Sequence, residues 1–285
     1  MSPVVCKEKA RASATRAATT SRVRVRMLDT ISDCAAAERL LCEVWRTGPD
    51  QPPLAADVVK AMADAGSHVA GAFDTAGDDL VGVCVGLWGP PDRPGMHSHL
   101  AGVLGSARGR HVGLALKLDQ RAHALERGTG RISWTFDPLI ARNAHFNLTR
   151  LGGTVSRYLP DYYGRLPDGL NQADESDRLM LDWDLADPRV VAACDEARPE
   201  PPGPTPLPLL ADDGGRPVSR RTSGGPVLVA VPEDFETLRA EQPSLAREWR
   251  VAVRHTLGAL LDGGARLTRF DRAAGGYVLT TGEGR

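Results

Sequence analysis

One short segment combines glycine, arginine and histidine in a pattern suited to binding phosphate. It runs from residue 104 to residue 117 and reads LGSARGRHVGLALK. Its glycines let the backbone approach a ligand closely, and the helix predicted to follow offers free amide groups and the positive end of its dipole. Arg108 and Arg110 add charged donors. The segment is neither a Walker A loop, because no Gly-Lys-Ser/Thr follows, nor a G-x-G-x-x-G dinucleotide loop. It predicts another kind of phosphate or pyrophosphate site.

A second group of residues is suited to moving protons. His97 and His99 are two residues apart in a strand-like run, so they share a face. Asp137 follows a predicted strand at its carboxyl end, where sites in α/β sheets gather. Plainer roles are open for each residue: a hydrogen-bonding or metal-binding histidine pair with no evident third ligand, and a turn at Asp137-Pro138.

Hydrophobic periodicity and turn residues place these groups on a series of strands and helices. The pattern predicts the order β-α-α-β-β-β-α-β-α-β-β, which is typical of a mixed, mostly antiparallel sheet flanked by helices in an α/β fold. We expect Ser32 or Asp33 to cap the first helix. The predicted strands are 23–28, 68–73, 80–88, 97–104, 131–136, 154–158 and 177–185. The first predicted helix runs through Leu40, Leu41, Val44 and Trp45, and the others are 54–65, 114–127 and 142–151.

The two ends of the chain differ from this central part. Residues 1–22 are small, polar and basic, which predicts a disordered tail. Residues 187–225 hold six prolines between Pro199 and Pro208, and a glycine pair, which predicts a solvated linker. Residues 226–285 predict a small β-α-β-β module with strands 227–231, 266–270 and 277–280 around a helix 244–261. The main domain would therefore span 23–186.

Composition excludes several classes of protein. The 285 residues carry 35 Lys and Arg against 36 Asp and Glu, a balance that argues against nucleic-acid binding. No apolar run is long enough for a membrane span. Five cysteines without a C-x-x-C pair favour a reducing cytoplasm. The richness in Arg, Ala, Gly and Pro indicates a GC-rich bacterial genome. Neither G-x-S-x-G nor H-E-x-x-H is present, so a hydrolase or zinc protease has no support.

The glycine-arginine segment resembles the loop of a known superfamily. Arg110-x-x-Gly113-x-Ala115 is similar to the R/Q-x-x-G-x-G/A signature of the GNAT superfamily of CoA-dependent N-acyltransferases. The similarity covers about residues 23–185, because the predicted element order is also that of the superfamily. The segments 134–138, 143–147 and 245–250 resemble a branch of predicted acetyltransferases with a C-terminal extension.

This resemblance implies acyl-CoA, with acetyl-CoA as the first choice, as co-substrate and no metal. In the superfamily, loop amides hold the CoA pyrophosphate. The strand before the loop, here residues 100–104, splays from the strand 131–136 and offers its amides to the pantetheine arm. Carried over to this chain, the binding residues would be Val103, Leu104, Arg108, Arg110, His111, Val112, Gly113, Leu114, Ala115 and Asn143.

The sequence departs from the superfamily at its usual general acid. Many members place a tyrosine four residues before the glycine that ends the fourth helix, and Leu148 stands there, before Gly152. We expect His99, Asp137 and Asn143 to carry the proton transfers. Further substitutes for the acid would be His145, Tyr158, Tyr162 and Tyr163, and Glu43 is a further base.

The function implied by the resemblance is transfer of an acyl group, acetyl in the first place, to a small amine or related nitrogen nucleophile. We expect a small-molecule acceptor, no nucleic-acid or membrane partner, and homodimer formation as an open alternative to a monomer. Because the usual tyrosine is missing, an acyl-CoA sensor or partner-interaction module is the alternative function. Other CoA chemistry, such as decarboxylation of the acyl donor, is a third.

Overall fold

The computed structural model describes residues 3–172, 174–195, 203–222 and 224–280, which form two compact units. The first unit comprises the chain up to Trp134 together with Asp168–Leu170 and Asp184–Asp195. The second comprises Thr135–Pro167, Asn171–Trp183 and the chain from residue 196 onward. None of the helices among the described residues is both long and apolar enough to cross a membrane.

Helices and strands alternate along most of the chain. The helices are α1 Pro3–Thr20, α2 Ile31–Trp45, α3 Ala56–Asp64, α4 Val112–Glu126, α5 Ala141–His145, α6 Pro188–Cys194, α7 Phe235–Glu241, α8 Pro243–Val253 and α9 Ala259–Asp262. The strands are β1 Val23–Met27, β2 His68–Asp74, β3 Leu80–Trp88, β4 Met96–Val103, β5 Arg131–Phe136, β6 Thr154–Leu159, β7 Arg178–Asp184, β8 Leu207–Asp213, β9 Arg216–Ser219, β10 Val227–Ala230, β11 Arg266–Asp271 and β12 Gly276–Thr280.

The first unit is built on a sheet with the order β1-β2-β3-β4-β5. The pairs β1–β2, β2–β3 and β3–β4 are antiparallel, whereas β4 and β5 are parallel. The sheet is therefore mixed and mostly antiparallel, as predicted. The predicted order of elements is also confirmed from β1 to β7.

Helices cover both faces of this sheet. Buried side chains of α2 and α3, with Leu41 and Val59 fully inside, pack with Val69 and Val85 on one face. On the other face, Ala115 and Leu116 of α4 pack with Val81 and Cys84. Neighbouring residues such as Cys84 and Val85 belong to opposite cores, which is why the strands read as nearly continuous apolar runs.

The start of α2 differs from the prediction. Thr30 is the N-cap, and its hydroxyl accepts a hydrogen bond from the amide of Asp33 at 3.1 Å. Asp33 lies in the first turn, where its carboxylate pairs with Arg26 at 2.8 Å. The predicted caps, Ser32 and Asp33, were thus wrong by two or three residues.

The prediction of a disordered N-terminal tail is wrong for the residues that the structure describes. Residues 3–20 form α1, in which Cys6, Ala10 and Ala14 are buried. These small side chains recur every four residues, so a helix can lie close against α4. Arg11 pairs with Glu126 at 2.6 Å, which fixes α1 at the far end of α4. Met1 and Ser2 lie outside the described residues.

The predicted linker also contains regular structure. Residues 188–194 form α6, and residues 207–219 form β8 and β9 of a five-stranded sheet in the second unit, with the order β11-β12-β10-β8-β9. Gly214 and Gly215 join β8 to β9 with φ of +60° and +84°, the backbone of a two-residue hairpin turn. Pro208 is tolerated because β9 pairs with β8 only from Leu210 onward. Residues 196–202 and Ser223 of the predicted linker lie outside the described residues.

Two predicted helices contain π-helical turns. The helix predicted at 142–151 is α5 followed by a π turn at Phe146–Arg150, and the one predicted at 244–261 is interrupted by a π turn at Arg254–Gly258. Such turns often occur where a helix carries functional or strained contacts.

The predicted domain boundaries of 23–186 and 226–285 remain a prediction about independent folding. The compact units divide the chain elsewhere, because residues 196–285 belong to the same unit as 135–167 and 171–183.

A pair of buried imidazoles lies between α4 and the sheet of the first unit. The His68 and His123 rings contact edge to face at 4.8 Å, and Trp88 stacks on His123. Burial lowers the pKa of His123 to about 4, with further lowering by His68 and Arg127. His123 is therefore neutral in the folded protein at pH 7.

We expect His123→Phe to make the fold less sensitive to acid. As pH falls from 6.5 toward 4, the unfolded chain binds a proton at His123 that the folded chain does not bind, so wild type loses stability. The loss at pH 4 from this one group is roughly 3 kcal/mol. Urea unfolding between pH 7 and pH 4 measures it, with His255→Phe at an exposed position as control. Equal pH slopes for His123→Phe and wild type would contradict the assignment.

Candidate functional site

The loop between β4 and α4 ends in a helix with free amides. A 3-10 turn spans Gly105–Ala107, and His111 takes a left-handed conformation with φ of 62° immediately before α4. The amides of Leu114 and Ala115 donate to the carbonyl of His111 at 2.9 and 3.2 Å. Those of Val112 and Gly113 in the first turn have no acceptor within the helix, so they are available to an anion at the positive end of the helix dipole. Leu114 and Ala115 were predicted to bind the cofactor, but their amides are already bonded.

Gly113 faces open space. A side-chain Cβ built there would meet only Val103 Cγ2, at 3.9 Å, and the backbone has no positive φ. Folding alone therefore does not require glycine at this position. The same position lies next to the end of β4, which places the start of α4 and that strand end side by side.

The two arginines of the loop have different roles. The guanidinium of Arg110 donates to Asp74 Oδ2 at 2.5 Å and to the carbonyls of Ser21 and Arg22 at 3.2 and 3.1 Å. This side chain therefore ties the loop to the end of β2 and to the residues just before β1, and it does not point to a ligand. A backbone hydrogen bond from Ala76, followed by the bond from Arg110, lowers the pKa of Asp74. Arg108 and His111 are exposed, and no described residue forms an ion pair with Arg108, so it is the cation free to meet a phosphate.

The strand before the loop leaves part of its backbone unpaired. The registered pairs between β4 and β5 are Met96 with Ile132 and His97 with Ser133. We call the point after these two pairs the fork. Beyond it β4 continues to Val103, paired with β3 alone among the described strands.

Register with β3 decides which groups of β4 face away from β3. The amide of Leu104 donates to Val81 O at 3.0 Å, so Leu104 and Val81 form a hydrogen-bonded pair. Because such pairs alternate with non-bonded pairs in antiparallel strands, the N–H and C=O of Val103 and Ala101 point away from β3. Val103 thus suits the predicted role, Leu104 does not, and Ala101 takes its place.

A β-bulge lies between the fork and these free groups. Gly86 pairs with Ser98 and Val85 pairs with Leu100, so His99 is the extra residue. Its ring centre is 6.3 Å from that of His97. Burial lowers the pKa of both imidazoles, and for His97 the neighbouring His99 and Lys117 lower it further. Both rings are therefore neutral at pH 7 and able to accept a proton. Within the described ranges, no three His, Cys, Asp or Glu side chains are grouped to hold a metal ion.

Asp137 is a structural residue, which contradicts its predicted role as a proton carrier. Its carboxylate lies 3.2 Å from Arg250 Nη2 and 3.8 Å from Arg178 Nη1, and it accepts the Leu139 amide at 2.9 Å. Arg250 is itself only 1% exposed and also bonds Asp174 at 2.8 Å. A carboxylate surrounded in this way has no free path to a substrate. Its partner comes from 113 residues further along the chain.

The predicted substitutes for the missing tyrosine belong to the second unit. The hydroxyl of Tyr158 donates to Asp177 Oδ2 at 2.6 Å, so its proton is already engaged by a carboxylate; burial, followed by the charge of Asp177, raises its pKa. Tyr163 hydroxyl lies 3.2 Å from Thr135 Oγ1. Asn143 and His145 are half-buried on α5, and Asn143 does not cap that helix, whose N-cap is Ile140. Of the three predicted catalytic residues, only His99 lies in the unit that holds the loop.

A shallow depression of about 300 Å³ lies on the first unit at the end of α2. Glu43, the further candidate base, is part of its wall. The carboxylate of Glu38 is occupied, since it accepts the Ala56 amide at 2.7 Å. The remaining lining residues are Arg39, Cys42, Arg46, Thr47 and Pro49.

Comparison with known proteins finds similarity only among solved structures. No family model matches the chain, and no curated protein matches it in sequence. Similar structures include yncA from Salmonella typhimurium with its cofactor acetyl-CoA, at 19% identity, TM-score 0.47, over 58% of this chain and 95% of that one. An acetyltransferase of the GNAT family from Streptococcus pneumoniae has 12% identity and TM-score 0.46, over 56% of this chain and 98% of that one. Ribosomal-protein-S18-alanine N-acetyltransferase from Escherichia coli has 12% identity and TM-score 0.46, over 57% of this chain and 94% of that one.

We expect Asp137→Asn to lower the free energy of unfolding and to leave ligand binding by the folded protein unchanged. Removing one charge of a buried pair leaves Arg250 under-compensated and costs about 3–5 kcal/mol. Urea unfolding measures it. The control is Asp78→Asn, because Asp78 pairs with Arg24 on the surface, where a pair contributes less than about 1 kcal/mol. Equal stability of both variants would show that the Asp137 pair is not structural.

Proposed function

We propose that this protein transfers an acyl group from acyl-CoA to a small amine, with acetyl as the first choice of acyl group. The observation that carries the proposal is a row of backbone groups in the first unit that have no hydrogen-bond partner among the described residues. The row starts at the amides of Val112 and Gly113 and continues along the free side of β4 at Val103 and Ala101. A Cβ at Gly113 would lie 3.9 Å from Val103 Cγ2, so the two parts of the row are close together.

This row fits the parts of CoA in order. The pyrophosphate would accept the Val112 and Gly113 amides, with Arg108 adding charge. The pantetheine arm carries two amide groups, and Val103 and Ala101 would pair with them as a neighbouring strand does, about 7 Å apart along β4. Bound in this way, acyl-CoA supplies the activated thioester. The absence of a side chain at Gly113 leaves room for the phosphates.

Proton transfer is assigned to the bulge. His99 lies two residues before Ala101 and is neutral at pH 7, since burial lowers its pKa. A neutral imidazole there would take the proton of an ammonium nucleophile. Leu148 cannot act as an acid, so protonation of the leaving thiolate has no dedicated group; positioning and backbone donors would supply most of the rate. The depression beside Glu43 is the proposed acceptor side.

An acyl-CoA sensor is the second candidate function. The occupied states of Asp137 and Tyr158 favour it, because neither side chain can replace the missing tyrosine. The two functions share the CoA site and differ only in turnover.

We expect Gly113→Glu to abolish binding of acetyl-CoA, because its carboxylate would occupy the pyrophosphate position. Isothermal titration calorimetry should show wild-type binding that weakens at least about tenfold, ~1.4 kcal/mol, in the variant. Gly130→Glu is the matched control, since that glycine also faces open space.

Two results would decide against parts of the proposal. If wild type does not bind acetyl-CoA, the loop is only a turn, and the enzyme and the sensor fail together. If binding is tight but no amine of a broad panel is acetylated, the protein is the sensor.

A further inference from the structure

A lysine ammonium lies buried under the sheet of the first unit. Lys117 of α4 is 5% exposed, and its Nζ donates to Ser98 Oγ at 2.7 Å and to Gln120 Oε1 at 3.1 Å. Among the residues that the structure describes, no carboxylate lies within 4 Å of it. A buried ammonium without a counter-ion is costly, and a core methionine would fill the same space without that cost.

The position of this ammonium coincides with the fork. The last pair of β4 and β5 is His97 with Ser133, and the next residue of each strand is Ser98 and Trp134. Lys117 contacts both of them, since its Nζ also lies 3.7 Å from the centre of the Trp134 ring. One side chain therefore contacts, in each strand, the residue that follows the last β4–β5 pair.

We propose that Lys117 is a positioning residue for acyl-CoA: its ammonium holds Ser98 and Trp134 at the fork and so fixes where β4 leaves β5. The inference rests on the proposed function for its ligand, but the fork itself is described independently of any ligand. The bulge at His99 and the free groups of Ala101 and Val103 follow directly from the position of Ser98.

The charge of Lys117 is part of this arrangement. The attraction to the Trp134 ring requires an ammonium, because a neutral amine has no cation–π interaction. Burial lowers the pKa of Lys117 to about 8, so the ammonium is lost between pH 7 and pH 9.

Other titratable groups lie around Lys117 on the elements packed against it. Cys84 Sγ lies 3.9 Å from Ser98 Oγ, and burial raises its thiol pKa. His97 and His99 of β4 have lowered pKa values. The side-chain nitrogen of Gln120 lies 3.4 Å from His68 Nδ1, and His68 Nε2 lies 3.6 Å from Asp119 Oδ2.

The test compares Lys117→Met with Lys60→Met, a lysine that pairs with Asp64 on the surface. Without ligand, wild-type tryptophan fluorescence should change with a midpoint near pH 8 as Trp134 loses its cation. That change should be absent in Lys117→Met and in Trp134→Phe, and present in Lys60→Met. Lys117→Met should melt at the same temperature as wild type or higher.

Acetyl-CoA affinity gives the second readout. We expect wild-type Kd to rise at least fivefold from pH 7 to pH 9. Lys117→Met should bind at least fivefold more weakly at pH 7 and show no further change, and Lys60→Met should follow wild type.

Each outcome is decisive. The positioning role is overturned if Lys117→Met is stable, binds acetyl-CoA with the wild-type Kd and shows the same pH-dependent fluorescence change as wild type. If wild type binds no acetyl-CoA, the proposed function fails, and the ligand-free titration alone decides about the fork. If Lys117→Met does not fold, the wild-type fluorescence and Kd between pH 7 and pH 9 decide, and a flat response in both overturns the inference.

Discussion

Backbone groups need hydrogen-bond partners, and among the described strands β4 has partners on one side only for most of its length. It pairs with β5 at Met96 and His97 and with β3 along its length except at the His99 bulge. A strand that is interior in the sheet thus presents an edge from Ser98 onward. The rest of the first unit is arranged around that edge: the bulge at His99, the loop that continues from Val103, and the start of α4 beside it.

A group of ion pairs, several of them buried, links the C-terminal segment to the rest of the second unit. Two arginines one helical turn apart, Arg250 and Arg254, reach four carboxylates, those of Asp137, Asp174, Glu175 and Asp177. Burial alone would raise the pKa of Asp177, but hydrogen bonds from Arg254 and others lower it. Tyr277 also bonds the carbonyl of Pro138 at 2.6 Å. The C-terminal segment is therefore an integral part of this unit, and truncating the chain at residue 195 would remove the counter-ions of a buried acidic cluster.

Local patterns in the sequence predicted what depends on local physics. The strands from β1 to β7, the loop with its glycines and the start of α4 near Val112 follow from alternation, turn residues and helix periodicity. The glycine pair in Asp213-Gly214-Gly215-Arg216 is typical of a hairpin turn, but the proline- and glycine-rich composition around it favoured a linker instead. The burial of α1 was signalled by small residues at Cys6, Ala10 and Ala14, against its polar average.

Properties that depend on distant partners were not readable. The direction of the Leu104 amide depends on strand register, which a bulge shifts. Asp137 looked catalytic because its partner, Arg250, lies far along the chain. Lys117 stands in the apolar run of α4, and nothing local distinguishes it from a lysine that reaches solvent. Each of these needed the tertiary contacts, since they concern what a residue faces and not which element it occupies.

Amide hydrogen exchange along β4 and the start of α4, with and without acetyl-CoA, tests the central claim most directly. Without ligand we expect slow exchange at Leu104, whose amide is bonded to Val81, and fast exchange at Val103 and Gly113. Acetyl-CoA should slow exchange at Ala101, Val103, Val112 and Gly113 and leave Leu104 unchanged. If acetyl-CoA protects none of these four amides, the free side of β4 is not a CoA site.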